Sequence, residues 1–103
     1  MSDILTRIRR AALRGRVRFT EKALVEMACD GLTREDVVES LATATAIYKT
    51  IRSDSPLRKV YREYLHIICS PTLDGTLIYT KGKLAGPPDD EWFYLLISAK
   101  HSV

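Results

Sequence analysis

The chain has 103 residues, enough for one domain and too few for two ordinary ones. Nearly half of them are apolar and just over a quarter charged, which is the balance of a folded chain and not of a disordered one; no run of about eighteen apolar residues offers a membrane span. A net charge of +3 allows a nucleic-acid partner without requiring one.

The opening "MSDILTRIRRAALRG" lacks the continuous apolar stretch and cleavage site of a secretory signal. It has the Arg-rich, amphipathic look of some transit peptides. However, Ile4, Leu5, Ile8, Ala11 and Ala12 recur at spacings of three and four, which fits an ordinary helix capped by Ser2 or Asp3 and ended by Gly15. Thr20 predicts the cap of a second helix with Ala23, Leu24 and Met27 inward and Gly31 as terminator. Thr33 and Asp36 in "TRED" predict a capping box for a third, with Val37, Val38 and Leu41 facing the core.

From residue 44 onward the segments "ATAIYKTIRS", "KVYREYLHIIC", "TLIYTKGKL" and "WFYLLISAK" are rich in β-branched and aromatic residues and separated by turn signals. Helices followed by strands predict a single α+β domain over 1–103, with helices at about 3–42 packed on one face of an antiparallel sheet at about 44–100. Such a sheet leaves its other face free. Strict alternation in the last strand puts Phe93, Leu95, Ile97 and Ala99 under the helices and Tyr94, Leu96, Ser98 and Lys100 opposite. If the strand at 76–84 pairs with it, Tyr79 and Lys81 share a face with Ser98 and Lys100.

The cations fall in blocks: Arg7, Arg9, Arg10, Arg14, Arg16 and Arg18 near the start, then Lys49, Arg52, Arg58, Lys59 and Arg62. This segregation predicts a basic face, with a solvated Arg-rich surface as the alternative. Cys29 and Cys69 form no C-x-x-C pattern and read as buried, reduced thiols, which suggests the cytoplasm. His66 and His101 are not spaced as a metal pair, and no cofactor or metal site is expected. His66 reads as a core or edge histidine, His101 as a residue able to reach RNA, and Trp92 as an anchor for the neighbouring loop.

Lysines and a tyrosine on one strand face are either a solvated edge or the parts of a metal-free ribonuclease. RNA cleavage needs a group to take the 2′-hydroxyl proton, a cation for the phosphate, and a group to protonate the departing 5′-oxygen. Lysine and tyrosine start near pKa 10, so a base role requires a depression of about two or three units, which clustered cations can supply.

Five short motifs then line up: "VRFT" (17–20), "YKT" (48–50), "VYR" (60–62), "IYTK" (78–81) and "SAK" (98–100). In this order and spacing the chain resembles the MqsR-type messenger-RNA interferases, toxins of bacterial toxin–antitoxin pairs within the RelE-like ribonuclease group. The resemblance runs from "RVRFTEKAL" almost to the C-terminus. It implies a RelE-like fold and a metal-independent endoribonuclease leaving 2′,3′-cyclic phosphate ends, with mRNA as substrate and a cognate protein antitoxin as partner. Lys49, Tyr79 and Lys100 fall on the family's functional positions. Arg58 stands where the family has a glutamine; arginine clamps phosphate but cannot accept a hydrogen bond. The implied roles are phosphate and transition-state charge for Arg58 and Lys49, proton transfer for Tyr79 and Lys100, and substrate binding for Lys81, Arg62 and His101.

The sequence departs from the family in a longer loop, "LAGPPDDEW", with three acids near the site. Lys49 also alternates with Ile47 and Ile51, which sets it on an apolar face unless a bulge re-aims it. Two other readings stand beside the enzyme: a non-catalytic RNA- or protein-binding module of the same fold, and an interaction protein whose sheet pairs edge to edge into a dimer.

Overall fold

The computed structural model describes residues 3–52, 64–86 and 92–102. Within them the chain forms α1 (Asp3–Leu13), β1 (Val17–Phe19), α2 (Glu21–Asp30), α3 (Arg34–Ala42), β2 (Lys49–Arg52), β3 (Tyr64–Pro71), β4 (Leu77–Ala85) and β5 (Phe93–His101). The helix limits follow from side chains that satisfy the backbone groups a helix end leaves open. Thr20 accepts a hydrogen bond from the Ala23 N–H, and Gly31 closes α2 in the left-handed region at φ 69°. At the start of α3 the capping box is complete: the Asp36 N–H donates to Thr33 Oγ1 at 3.1 Å and the Thr33 N–H donates to Asp36 Oδ2 at 2.9 Å.

The architecture is α+β, with strand order β1-β5-β4-β3-β2. β2 to β5 form an antiparallel meander. β1 extends it beyond β5 in parallel, with Val17 opposite Tyr94 and Phe19 opposite Leu96. The sheet is therefore mixed, not purely antiparallel, and its first strand lies at 17–19, before the region expected to form it. A parallel pair needs a long crossover; here all the chain from α2 to β4 supplies it.

Ile8, Ala11 and Ala12 of α1, Ala23 and Met27 of α2, and Val37 and Leu41 of α3 pack with Ile68, Ile78, Tyr94, Leu96 and Ala99 into one core on one side of the sheet. The phase of β5 differs from strict alternation. Lys81 pairs with Ser98 but Gly82 pairs with Leu96, so Ile97 is an extra residue on β5. Before this bulge Tyr94 and Leu96 face the helices, and after it Ala99 does, with Ser98 and Lys100 on the other side. Phe93 and Leu95 thus leave the helix-covered face predicted for them, because one inserted residue inverts a period of two.

Gly82 makes room for the Tyr94 ring, which is fully buried. A Cβ at Gly82 would lie 2.8 Å from that ring and 2.7 Å from the Leu95 carbonyl oxygen. The Tyr94 O–H then reaches the His66 carbonyl at 3.4 Å. Meanwhile α2 runs along the margin of β5 where β1 ends: the Thr20 N–H donates to the Leu96 carbonyl at 3.0 Å, the Thr20 hydroxyl to that of Ile97 at 3.3 Å, and the His101 N–H to Asp30 at 2.9 Å. A strand edge left with open backbone groups is in this way covered. Among the described residues no helix is long and apolar enough to cross a membrane.

Candidate active site

The sheet face turned away from the helices is built by register. Lys49 pairs with Ile67, Ile67 with Lys81, and Lys81 with Ser98, giving one row across four strands. The next row is Cys69, Tyr79 and Lys100. Strands lie about 4.8 Å apart, so Lys49 and Lys81 are separated by about 10 Å at the backbone, near enough for two long side chains to hold one phosphate between them. None of these residues belongs to the helix-covered core.

Lys49 needs no bulge to join this face. On its other side Ile51 pairs with Leu65, and Lys83 with Leu95, so isoleucine and lysine share the open face. Ile67 is 9% exposed yet outside the core; its neighbours here are Lys49 and Lys81, whose methylene stems can lie over it while the charges stay in water. Arg18 of β1 adds a cation at the far margin, 4.3 Å from the centroid of the Phe93 ring. The arginines of α1 go elsewhere: Arg7 stacks on Trp92 at 4.4 Å and Arg9 donates to the Ala42 carbonyl at 3.2 Å. The basic face is thus made mainly of strand lysines.

The Lys100 ammonium lies 5.4 Å from the Tyr79 ring centroid. The Tyr79 hydroxyl is shifted opposite to the expectation from clustered cations. Burial first, then the charges of Cys69 and Glu26, push it above the usual phenol range. Partial burial of the ring is the first cause, so the Tyr79 phenol keeps its proton at neutral pH and is suited to donate it, not to act as a base.

Glu26 was not foreseen in the sequence. It stands on α2 between the inward Ala23 and Met27, and Ser98 Oγ donates to its Oε1 at 2.7 Å. A carboxylate bordering the apolar stripe of an amphipathic helix is the signal that marks it, but only the placement of α2 along β5 gives that signal a meaning.

Other expected residues lie apart. His101 pairs with Ile78, a core residue, and so stands on the opposite side of β5 from Lys100. His66 is 5% exposed on the helix side, with Nδ1 3.0 Å from Thr50 Oγ1, and desolvation lowers its pKa. It borders a cavity of about 670 Å³ walled also by Arg7, Thr50, Tyr64, Lys83, Leu84 and Trp92. Cys29 is exposed, contrary to the buried thiol expected, because it falls on the outer side of α2; Cys69 is half-buried beside Tyr79. Arg58, Arg62 and the acids of the 85–91 loop at 89–91 lie outside the described residues. No protein-family model matches the chain, nor does any curated protein or any solved structure.

Proposed function

We propose that this chain is a metal-independent endoribonuclease of the MqsR type, cutting messenger RNA in the cytoplasm and silenced by a cognate antitoxin. The observation that supports it best is the gathering of Lys49, Lys81, Lys100 and Tyr79 on the sheet face turned away from the helices, by the pairing of β2, β3, β4 and β5. Three lysines set to neutralise a phosphate, with a protonated phenol beside them, supply two of the three requirements of RNA cleavage. In this reading Lys49 and Lys81 hold the scissile phosphate and its neighbour, and Lys100 stabilises charge growing on the phosphoryl oxygens. Tyr79 donates its proton to the 5′-oxygen as the P–O bond breaks, which leaves a 2′,3′-cyclic phosphate and a 5′-hydroxyl.

The test is cleavage of a long mixed-sequence messenger RNA by purified protein in EDTA, with and without ribosomes. Discrete cuts with cyclic phosphate ends are the expected result. Salt-sensitive binding with no cut under either condition would instead identify a non-catalytic RNA-binding module of the same fold. That second reading is favoured by one observation, the upward shift of Tyr79, which removes the base that the lysine cluster was expected to create.

A further inference from the structure

The open face holds cations and a proton donor, so the group that takes the 2′-hydroxyl proton has to be found elsewhere. We infer that the Glu26 carboxylate is that general base, an inference that rests on the ribonuclease reading above. Glu26 comes from α2, which lines the margin of β5 beyond β1, and its Oε1 accepts the Ser98 hydroxyl hydrogen at 2.7 Å. Ser98 is the cross-strand partner of Lys81 and stands two residues before Lys100, so its hydrogen bond brings the carboxylate to the margin of the row that carries Lys81. Ser98 holds one oxygen of the carboxylate, and proton abstraction uses the other. Tyr79 lies within reach of its charge.

The plainer role for Glu26 is a tether holding α2 to β5. That attachment is already made at three other points, by the Thr20 N–H and hydroxyl, by Asp30, and by Ala23 and Met27 in the core. A tether also has no need of charge, since an amide accepts the Ser98 hydrogen as well.

Glu26 takes the 2′-hydroxyl proton, the 2′-oxygen bonds to phosphorus, and the P–O5′ bond breaks. Its electron pair goes to the 5′-oxygen, which receives the Tyr79 proton. The proton on Glu26 then returns to the Tyr79 phenolate through water, restoring both groups.

The experiment compares wild type, Glu26→Gln and Ser98→Ala on the same RNA in EDTA, with affinity for a non-cleavable 2′-O-methyl RNA and thermal melts alongside. Glu26→Gln is expected to cut about 10²- to 10⁴-fold more slowly while folding and binding RNA at least as tightly, because an anion has left a basic face. Ser98→Ala, which removes the tether but keeps the carboxylate, is expected to lose clearly less rate than Glu26→Gln. Glu26→Gln within a few-fold of wild type overturns the base and leaves the ribonuclease standing. Equal losses in Ser98→Ala and Glu26→Gln overturn it in favour of the tether. A wild type that cuts no RNA, with or without ribosomes, removes the ribonuclease reading and this inference together. Should Glu26→Gln fold poorly, Glu26→Ala with added formate decides: recovery of rate supports the base, and no recovery overturns it.

Discussion

Lys100 and Tyr79 are direct partners across the β4–β5 ladder, with the Lys100 ammonium 5.4 Å from the centre of the Tyr79 ring. A cation over an aromatic face contributes about 0.5–1 kcal/mol at an exposed site, so its loss costs the fold little. The larger effect is expected in chemistry. Lys100→Ala and Tyr79→Phe should each lower the single-turnover cleavage rate by about 10²-fold or more. Because the two act as a unit, the double variant should fall well short of the product of the single losses.

Lys49 and Lys81, on the flanks of Ile67, are expected to act through phosphate. Binding of a 2′-O-methyl RNA measured across salt concentrations should show this. Each change to alanine should reduce the slope of log affinity against log salt by about 0.7, as for one lost contact to a single strand. An unchanged slope would place that lysine off the RNA path.

Tyr79 provides a titration test of the same face. Its folded-state pKa is raised, so the neutral phenol favours the fold; that contribution is complete below the unfolded value of about 10 and is lost as pH rises through the folded value. Alkaline spectrophotometric titration should show one tyrosine in wild type that ionises earlier after Glu26→Gln or Cys69→Ser. Since burial is the first cause, neither change should return it fully to the ordinary range.

His66 runs in the other sense. Desolvation depresses its folded-state pKa, so the neutral ring contributes stability above the unfolded value of about 6.5, and this is lost as pH falls through the folded value. Thermal midpoints should decline from pH 7 toward pH 5, and His66→Gln should flatten that decline.

Gly82→Ala tests the packing beneath Tyr94. The new Cβ would meet a backbone oxygen at 2.7 Å as well as the ring, and the backbone cannot rotate away as a flexible side chain does. A loss of about 1–3 kcal/mol is expected from overpacking, read by denaturant unfolding.

The three helices were legible because their signals are local. Thr20, Gly31 and the Thr33–Asp36 pair act on backbone groups within four residues, so sequence spacing alone places them. The strands of the meander were legible for a similar reason, through composition and turn residues. So were most members of the lysine and tyrosine cluster, since Tyr79 and Lys81 alternate on one strand whatever its neighbours are. What sequence left open was the face of Lys49, because "IYKTI" has the same pattern on either side of a sheet. Pairing of Lys49 with Ile67, and of Ile67 with Lys81, decided it.

Tertiary structure also decided the bulge at Ile97, the parallel docking of β1, the upward shift of Tyr79, and the arrival of Glu26 at Ser98. Each depends on groups brought together from distant parts of the chain; Glu26 and Ser98 are 72 residues apart. Local propensity and alternation determine which elements form and which residues share a strand face. Register, burial and the field of neighbouring charges exist only once the strands have paired and α2 has settled along β5.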